Sequence, residues 1–264
     1  MKRAPHNYWH WLKRTLSVCL NYYNDPLYMR WYFQHARRLR RFKDIHKGKG
    51  CFIIGNGPSI NQMDLSLLQN YTTFGLNKIF LLFDRIDLNL SYHVAINSYV
   101  IQQSARQIEA LSCPSFLSYR RAPNAVRPLE HIYYLMTTGE LAFTNDLEKS
   151  LYEGYTVTYV AMQIAYYMGF SSIFLIGVDH NFQYSGRPNE KQLMQGKDPN
   201  HFDSRYFQNC EWQLPDLEAS ELAYRAANFY FKRSGRQIYD ATVNGKLTIF
   251  PKISFDQALS MCSK

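Results

Sequence analysis

Short apolar runs alternate with helical patterns along most of the chain. The runs are typical of buried strands, and we predict strands at 51–54, 72–75, 92–96, 114–118, 132–135, 172–176 and 237–239. Helical periodicity between them predicts helices at 61–69, 98–111, 156–168 and 216–234. Strands that alternate with helices form parallel sheets with right-handed crossovers. The pattern therefore predicts an α/β fold built on a parallel sheet.

The first fifty residues differ in composition from the rest of the chain. They hold 12 Lys or Arg against two Asp, a net charge of +10, whereas the whole chain carries +9, so the remainder carries −1. Two helices are predicted there, at 7–23 and 27–44, with a hinge at 47–50. We expect a basic, aromatic helical arm at 1–49 and one α/β domain at 50–264.

The arm has three interpretations. It can pack its aromatic side chains on the body as a helical layer, attach to an anionic membrane surface, or bind nucleic acid. The neutral body argues against a nucleic-acid groove, and we expect no nucleic-acid partner. The chain has no apolar run of membrane-spanning length and no signal cleavage site. We therefore expect a cytoplasmic protein, peripheral at most on the inner face of the cell membrane, and a homo-oligomer stays open.

A glycine-rich loop follows the first predicted strand. Its residues are Gly55, Asn56, Gly57, Pro58 and Ser59. Glycines let a backbone approach a ligand closely, and the N-terminus of a following helix offers free N–H groups to a phosphate. The loop lacks the Lys of a P-loop, which excludes that class of NTPase. The loop is predicted to bind a nucleotide phosphate, and the alternative is a tight turn without a ligand.

Polar residues also follow three other predicted strands. Asn77 and Asn97 end two of them, and the most apolar strand ends at Gly177, two residues before Asp179 and His180. Ligands of open parallel sheets bind at this carboxyl edge. The amides can contact a base or a ribose, Asp179 can hold a metal, a ribose or a turn, and His180 is a candidate base. Each of them alone can also be a turn former or a packed side chain.

A long polar segment at about 180–215 separates the most apolar strand from the next helix, and we predict that it is a lid. Within it, His201 lies between Asp198 and Asp203 in sequence. A neutral imidazole can accept a proton near pH 7, and a neighbouring carboxylate can orient it. His201 is therefore the first candidate for a general base.

These motifs together resemble a known group of transferases. The similar parts are GNGPSI after the first strand, the strand ends at Asn77 and Asn97, and residues 155–182 with the sequence YTVTYVAMQIAYYMGFSSIFLIGVDHNF. They resemble the MptE-like family, named for an archaeal 6-hydroxymethylpterin pyrophosphokinase. Bacterial lipooligosaccharide sialyltransferases and flagellin-modifying motility accessory factors are related to it. The resemblance covers about residues 50–245.

The resemblance implies a Rossmann-like domain with helices on both faces of its sheet and a mobile lid. It implies a sialyltransferase-like enzyme that holds a cytidine-monophosphate sugar and transfers the sugar to a cell-surface glycan or a lipid-linked acceptor. Thr156, together with Thr158, would contact the donor, and His201 would act as base without a required cofactor. The remaining donor contacts would come from Gly55, Asn56, Gly57, Ser59, Asn77 and Asn97.

Two alternatives remain. The first is an MptE-like pyrophosphokinase that transfers diphosphate from ATP to a hydroxymethylpterin-type small molecule, with Mg²⁺ held by Asp179. It gains weight because the tyrosines that receive the leaving phosphate in the sialyltransferases have no match in register after Asp179. The second is a non-catalytic nucleotide-binding protein that kept the fold without the chemistry.

Overall fold

A seven-stranded parallel sheet forms the centre of the molecule, for which a computed structural model describes residues 6–121, 124–194, 198–207 and 210–262. The strands are β1 (Gly50–Ile54), β2 (Thr73–Leu76), β3 (Tyr92–Ala95), β4 (Ser115–Ser118), β5 (Ile132–Leu135), β6 (Thr137–Thr138), β7 (Leu151–Tyr152), β8 (Ser172–Ile176), β9 (Lys191–Leu193), β10 (Glu211–Gln213) and β11 (Gln237–Asp240). The order in the main sheet is β11-β8-β1-β2-β3-β4-β5, while β6 pairs with β7 and β9 with β10.

Helices cover the sheet and form the N-terminal layer. They are α1 (His6–Tyr22), α2 (Pro26–Trp31), α3 (Arg37–Leu39), α4 (Ser98–Gln103), α5 (Ala105–Glu109), α6 (Val157–Tyr167), α7 (Leu217–Arg233) and α8 (Phe255–Met261). A π-helix at Tyr32–Ala36 joins α2 to α3, and a 3₁₀ turn at Arg40–Phe42 ends the layer. Asp25 begins α2, because its Oδ1 accepts a hydrogen bond from the Tyr28 N–H at 2.9 Å and Pro26 follows it.

The strand order places a topological switch between β1 and β8. The chain continues from β1 to β2 on one side and from β8 to β11 on the other. The loops that leave β1 and β8 therefore part and open a crevice, which is where open α/β sheets bind ligands. The predicted α/β, Rossmann-like fold is confirmed by this sheet.

Both faces of the sheet are buried, so its strands are apolar at successive positions. In β1, Cys51 and Ile53 belong to the core beneath α6, whereas Phe52 and Ile54 belong to a second core that includes α8 residues. All four side chains are fully buried. This two-sided burial explains why β1 is a continuous apolar run and not an alternating one.

The N-terminal layer packs on the body. Trp31 is fully buried, and its indole N–H donates to the Tyr134 carbonyl oxygen at 2.8 Å. Arg40 donates to both carboxylate oxygens of Glu148, at 3.1 and 2.8 Å. The predicted hinge is also bonded, since the Gly48 N–H donates to the Gly169 carbonyl oxygen. These contacts favour the packing interpretation of the arm, and the domain boundary at residue 49 stays a prediction.

Two predicted helices differ from the observed elements. The predicted helix at 61–69 is replaced by two short 3₁₀ helices, Pro58–Gln62 and Leu65–Leu68. Met63 between them is extended, and the Asp64 carboxylate accepts from the Ser66 N–H at 3.1 Å, a local bond that competes with a continuous helix. The predicted helix at 98–111 is broken at Ser104, where φ is −120°.

Several short elements had no prediction. They are β6, β7, β9, β10 and α8. The pair of β9 and β10 falls inside the predicted lid, of which residues 195–197 and 208–209 lie outside the described part. None of the described helices has both the length and the apolar character needed to cross a membrane.

Candidate active site

A cavity of about 350 Å³ opens at the carboxyl edge of the sheet, beside the switch between β1 and β8. It brings together eleven of the thirteen residues predicted for the site: Gly55, Asn56, Gly57, Asn77, Asn97, Thr156, Thr158, Gly177, Asp179, His180 and His201. Pro58 and Ser59 do not line it. The predicted residues thus meet at one cavity, while its function and the role of each residue stay predictions.

The glycine loop (residues 55–59) is hydrogen-bonded to the loop that follows β8. The Gly57 N–H donates to the Gly177 carbonyl oxygen at 2.9 Å, and the Ser59 N–H donates to Oδ1 of Asp179 at 3.0 Å. The Ser59 hydroxyl donates to Oδ2 of Asp179 at 2.7 Å. The N–H groups of Gly57 and Ser59, which the sequence predicted to bind a phosphate, are therefore bonded to the protein itself. The Ser59 N–H donates to the Asp179 carboxylate instead of to a bound anion.

This contact between loops explains both glycines. A Cβ at Gly55 would stand 2.2 Å from the Gly177 carbonyl oxygen, and a Cβ at Gly57 would stand 1.8 Å from Oδ2 of Asp179. No side chain fits at either position unless the β8 loop moves. The glycines therefore permit two backbones to meet, and this corrects the expectation that they make room for a ligand directly.

Burial raises the pKa of Asp179, and the two hydrogen bonds from Ser59 lower it in opposition. Both of its oxygens accept from Ser59, so Mg²⁺ could coordinate the carboxylate only through its remaining lone pairs. Within the described ranges, no three His, Cys, Asp or Glu side chains are placed to share a metal ion. The described residues do not fit a resident metal site, and we derive no metal-dependent step.

The three strand-end asparagines of the site differ in how their amide oxygens are used. Oδ1 of Asn97 caps α4 by accepting from the Tyr99 N–H at 2.8 Å. Oδ1 of Asn56 and Oδ1 of Asn77 are buried, and neither has a hydrogen-bond partner among the described residues. Buried acceptors without donors destabilise a structure, so these two oxygens are the acceptors best placed for a ligand's N–H or O–H groups.

Two core features hold the asparagine side of the cavity. Asn77 adopts a left-handed backbone with a φ of 50°, and its carbonyl oxygen is 2.8 Å from Nε2 of His93. His93 is fully buried, as its mid-strand position predicted, and burial lowers its pKa to about 4. Its imidazole is therefore neutral, and Nε2 donates to the Asn77 carbonyl.

The start of α6 also lines the cavity. The Thr156 hydroxyl caps the helix by accepting from the Thr158 N–H at 3.3 Å, and it lies 3.4 Å from the Tyr224 hydroxyl. Both threonines face the cavity, at the position that the family resemblance gives to a donor contact. Their hydroxyls can donate hydrogen bonds to a phosphate or a sugar.

Residues 198–207, which we call the His201 segment, are anchored to the glycine loop. The Phe202 N–H donates to the Asn56 carbonyl oxygen at 3.0 Å, and the Asn61 side-chain amide donates to the Phe202 carbonyl oxygen at 2.9 Å. Phe202 is buried in the second core. The segment thus carries its own packed side chains and is fixed where it meets the cavity.

His201 is held on two sides within this segment. Its Nδ1 lies 2.9 Å from Oδ2 of Asp198, and its ring stacks on Tyr206 with centroids 3.7 Å apart and planes 6° apart. Burial lowers the pKa of His201, while the hydrogen bond to Asp198 raises it in opposition. Because Nδ1 is engaged by Asp198, Nε2 is the nitrogen left to take a proton from a substrate in the cavity.

The second predicted partner of His201 points elsewhere. Asp203 pairs with Arg205 at 2.8 Å and with Arg85 at 3.6 Å, so only Asp198 orients the imidazole. The sequence alone could not show which of the two acids contacts His201. In the fold, Asp198 turns back to the imidazole, whereas Asp203 faces Arg205.

Lys78 is a residue that the sequence interpretation missed. It is buried behind the His201 segment, where its ammonium donates to the Tyr206 carbonyl oxygen at 2.7 Å and to the Gln103 side chain at 2.9 Å. Burial lowers its pKa. Its position directly after Asn77 at a strand end was the available indication. Lys78 fixes the tyrosine on which His201 stacks.

His180, the rival base, is engaged by another helix. Its Nε2 lies 3.1 Å from Oε1 of Glu221 on α7, and its backbone is left-handed with a φ of 52°. It lines the cavity, yet its carboxylate partner is more exposed than Asp198, at 37% against 1% of the side chain. The better-ordered histidine–carboxylate pair is therefore His201 with Asp198.

A solved structure has a similar fold: the MAf glycosyltransferase from Magnetospirillum magneticum AMB-1, with a TM-score of 0.52 and 14% sequence identity. The match covers 85% of this chain and 38% of that protein, so the chain spans under two fifths of its length. At this identity the likeness shows the fold.

No curated protein sequence matches the chain. The family model described as 6-hydroxymethylpterin diphosphokinase MptE-like matches residues 29–185, which is more than half of the chain and includes part of the N-terminal layer. The match confirms the resemblance read from the glycine loop and the strand ends. The chain belongs to the MptE-like family.

Proposed function

We propose that the protein is a transferase that uses a nucleotide-activated donor, and that it is a glycosyltransferase acting on a hydroxyl of a glycan or lipid-linked acceptor. The observation that carries the proposal is the buried His201–Asp198 pair on the wall of the cavity. A general base of this kind serves a reaction in which a hydroxyl attacks. The transferase names of the family model and of the similar structure support the class.

In the proposed reaction, Nε2 of His201 takes the proton of the acceptor hydroxyl while that oxygen forms a bond to the anomeric carbon of the donor. The bond between the sugar and the nucleotide phosphate breaks, and its electron pair leaves with the phosphate. Asp198 stabilises the imidazolium that forms. Asn56 and Asn77 would accept hydrogen bonds from the donor, and Thr156 would donate one.

The charge of the cavity favours a donor with few phosphates. Among the described residues that line it, Arg121 is the one cationic side chain, and it pairs with Glu153 at 2.6 Å. Asp179 and Asp216 add negative charge. A nucleoside monophosphate sugar, such as the cytidine-monophosphate sugar that the sialyltransferase resemblance implies, brings less negative charge than ATP and suits this cavity better.

The second candidate is transfer of diphosphate from ATP to a small hydroxymethyl compound. The description of the family model favours it. It would require Asp179, whose oxygens both accept from Ser59, to help hold Mg²⁺ together with the phosphates. The paired state of Asp179 and the scarcity of cations in the described cavity wall make it the weaker proposal.

A peripheral location at the inner face of the membrane is part of the proposal. In α1, Leu16 and Leu20 are 54% and 74% exposed, and Tyr23 just beyond the helix is 72% exposed. Apolar and aromatic side chains beside basic residues bind the surface of anionic bilayers. Binding of the full-length protein to anionic vesicles, and its loss at high salt, would support this location, whereas equal binding to neutral vesicles would contradict it.

A thermal-shift panel tests the donor class. A ligand that binds the native state alone stabilises it by about 2.7 kcal/mol at a hundredfold excess over Kd. We expect stabilisation by CMP or a CMP-sugar that does not depend on Mg²⁺. Stabilisation by ATP only with Mg²⁺ would favour the second candidate. No response to any nucleotide would contradict both candidates.

A further inference from the structure

A tight turn with an unusual residue lies at the mouth of the cavity. Residues 153–156 form it, and the Thr156 N–H donates to the Glu153 carbonyl oxygen at 3.2 Å. Both central residues are left-handed, with φ of 55° at Gly154 and 60° at Tyr155. Two positive φ values with this hydrogen bond define a type I′ turn.

Tyrosine is a poor residue for this turn. Type I′ turns favour Gly, Asn and Asp, because a Cβ in left-handed backbone crowds the neighbouring carbonyl oxygen. The turn itself therefore gives no reason for an aromatic side chain at Tyr155. Tyr155 is also 51% exposed, so its ring adds little to the core.

Left-handed residues concentrate at this cavity. Of the six non-glycine residues with positive φ in the described ranges, four line it: Asn77, Tyr155, His180 and Asn189. Three of these are Asn or His, which tolerate the conformation, and Tyr155 is the aromatic exception. Strained backbone of this kind persists at ligand sites, where the side chain it presents has a use.

The neighbours of Tyr155 belong to the donor side of the cavity. Thr156 and Thr158 follow it at the start of α6, and Glu153 before it pairs with Arg121, which also lines the cavity. A half-exposed tyrosine ring in this position offers a flat face to a bound ring. Aromatic stacking is the contact by which proteins hold nucleobases with little dependence on sequence.

We propose that Tyr155 stacks on the base of the donor nucleotide and that the strained turn exists to present its ring. The inference rests on the proposed function, since it requires a nucleotide in the cavity. It assigns the base to the α6 side of the cavity, which leaves the His201 side to the acceptor. Tyr155 is then a binding residue for the donor and takes no part in proton transfer.

The test compares three substitutions of the residue. Tyr155→Asn removes the ring and suits left-handed backbone, Tyr155→Gly removes the ring and all strain, and Tyr155→Phe keeps the ring. We expect Tyr155→Asn to melt at a higher temperature than the wild type without ligand, because the strain is relieved. We expect its affinity for CMP, or for the nucleotide that binds most tightly among CMP, UMP, AMP and ATP with Mg²⁺, to fall about tenfold. Tyr155→Gly should lose the same affinity.

Controls separate stacking from other effects. Tyr155→Phe should keep the nucleotide affinity of the wild type, and Phe229→Ala, which removes a ring that is 58% exposed on α7, should also leave it unchanged. Equal affinity in Tyr155→Asn and the wild type would overturn the inference while the proposed function stands. A loss in Tyr155→Phe would show that the hydroxyl, and not the ring face, makes the contact. If no nucleotide binds the wild type, the proposed function fails first and the inference fails with it.

Discussion

The two sides of the cavity use their polar groups in opposite ways. In the glycine loop, the N–H groups of Gly57 and Ser59 donate to the loop that follows β8. Both oxygens of the Asp179 carboxylate accept hydrogen bonds from Ser59. In the His201 segment, Nδ1 of the ring is fixed by Asp198, and we propose that Nε2 accepts the proton of the acceptor. The first side is a joint between two loops, and the second carries the proposed base.

This difference shows that a glycine-rich loop at a strand end need not be a phosphate cradle. The loop gives the site its shape, because Gly55 and Gly57 allow the β1 and β8 loops to meet at the switch point. Through the bond from the Phe202 N–H to the Asn56 carbonyl oxygen, the same loop anchors the His201 segment. Substitutions on the two sides should therefore have separable effects.

The largest effect is expected from His201. Replacement by Asn should lower kcat by about 10²- to 10⁴-fold, the usual contribution of a general base, with little change in donor affinity. The measurement is steady-state turnover with the donor class that the nucleotide panel selects. His180→Asn is the matched control and should reduce kcat less. Near-normal turnover in the His201 variant would refute its role as base.

Removal of the orienting carboxylate should have a smaller effect. In the wild type, the Asp198 carboxylate raises the pKa of His201 and opposes the effect of burial. Asp198→Asn removes this carboxylate. The pKa should fall further, so the acidic limb of the pH–rate profile should move to lower pH while the maximal rate falls by up to about 10²-fold. An unshifted acidic limb would show that His201 does not titrate in this profile.

Gly57→Ala tests the loop side. Its Cβ would overlap Oδ2 of Asp179, so the Asp179–Ser59 contact has to open. Overpacking of this kind costs about 1–3 kcal/mol, and nucleotide affinity should fall about 10- to 100-fold as the loops shift. Calorimetric titration of the folded variant measures this. Unchanged nucleotide affinity would show that donor binding does not depend on the shape of the glycine loop.

The smallest effect concerns His93, which donates to the Asn77 carbonyl oxygen at the cavity. Its folded pKa of about 4 lies below that of the unfolded chain, so the unfolded state binds the proton first as pH falls. Protonation of His93 in the unfolded state therefore does not lower the stability of the fold above about pH 6.5. Between pH 7.5 and pH 5, the free energy of unfolding should fall by about 2 kcal/mol. Chemical denaturation at both pH values measures it. His93→Gln should show a smaller decline, and an equal decline would assign the effect to other groups.

The sequence predicted the strands of the main sheet and the edge at which these residues meet, because these features follow from short local patterns. Apolar runs predicted every strand of the main sheet, and the residues that follow them, such as Asn77 and Gly177, had to share one edge. Contacts between distant parts of the chain could not be predicted in this way. The bond between Ser59 and Asp179 joins positions that are 120 residues apart, and no local sequence pattern indicates it.

The errors have a different, local origin. The apolar spacing at 61–69 fits a helix, yet the bond that Asp64 accepts from the Ser66 N–H divides the segment into two short 3₁₀ helices. Tyr155 was not among the predicted site residues, because its left-handed backbone is known only from the structure.

The central claim is that the glycine loop shapes the part of the cavity that binds the donor, while the His201 segment supplies the base. Its most direct test is calorimetric titration of the best-binding nucleotide from the panel into the wild type, Gly57→Ala and His201→Asn. The account predicts that His201→Asn binds within about threefold of the wild type and that Gly57→Ala binds at least about tenfold more weakly. Loss of binding in His201→Asn with full binding in Gly57→Ala would contradict the account, and so would a wild type that binds no nucleotide.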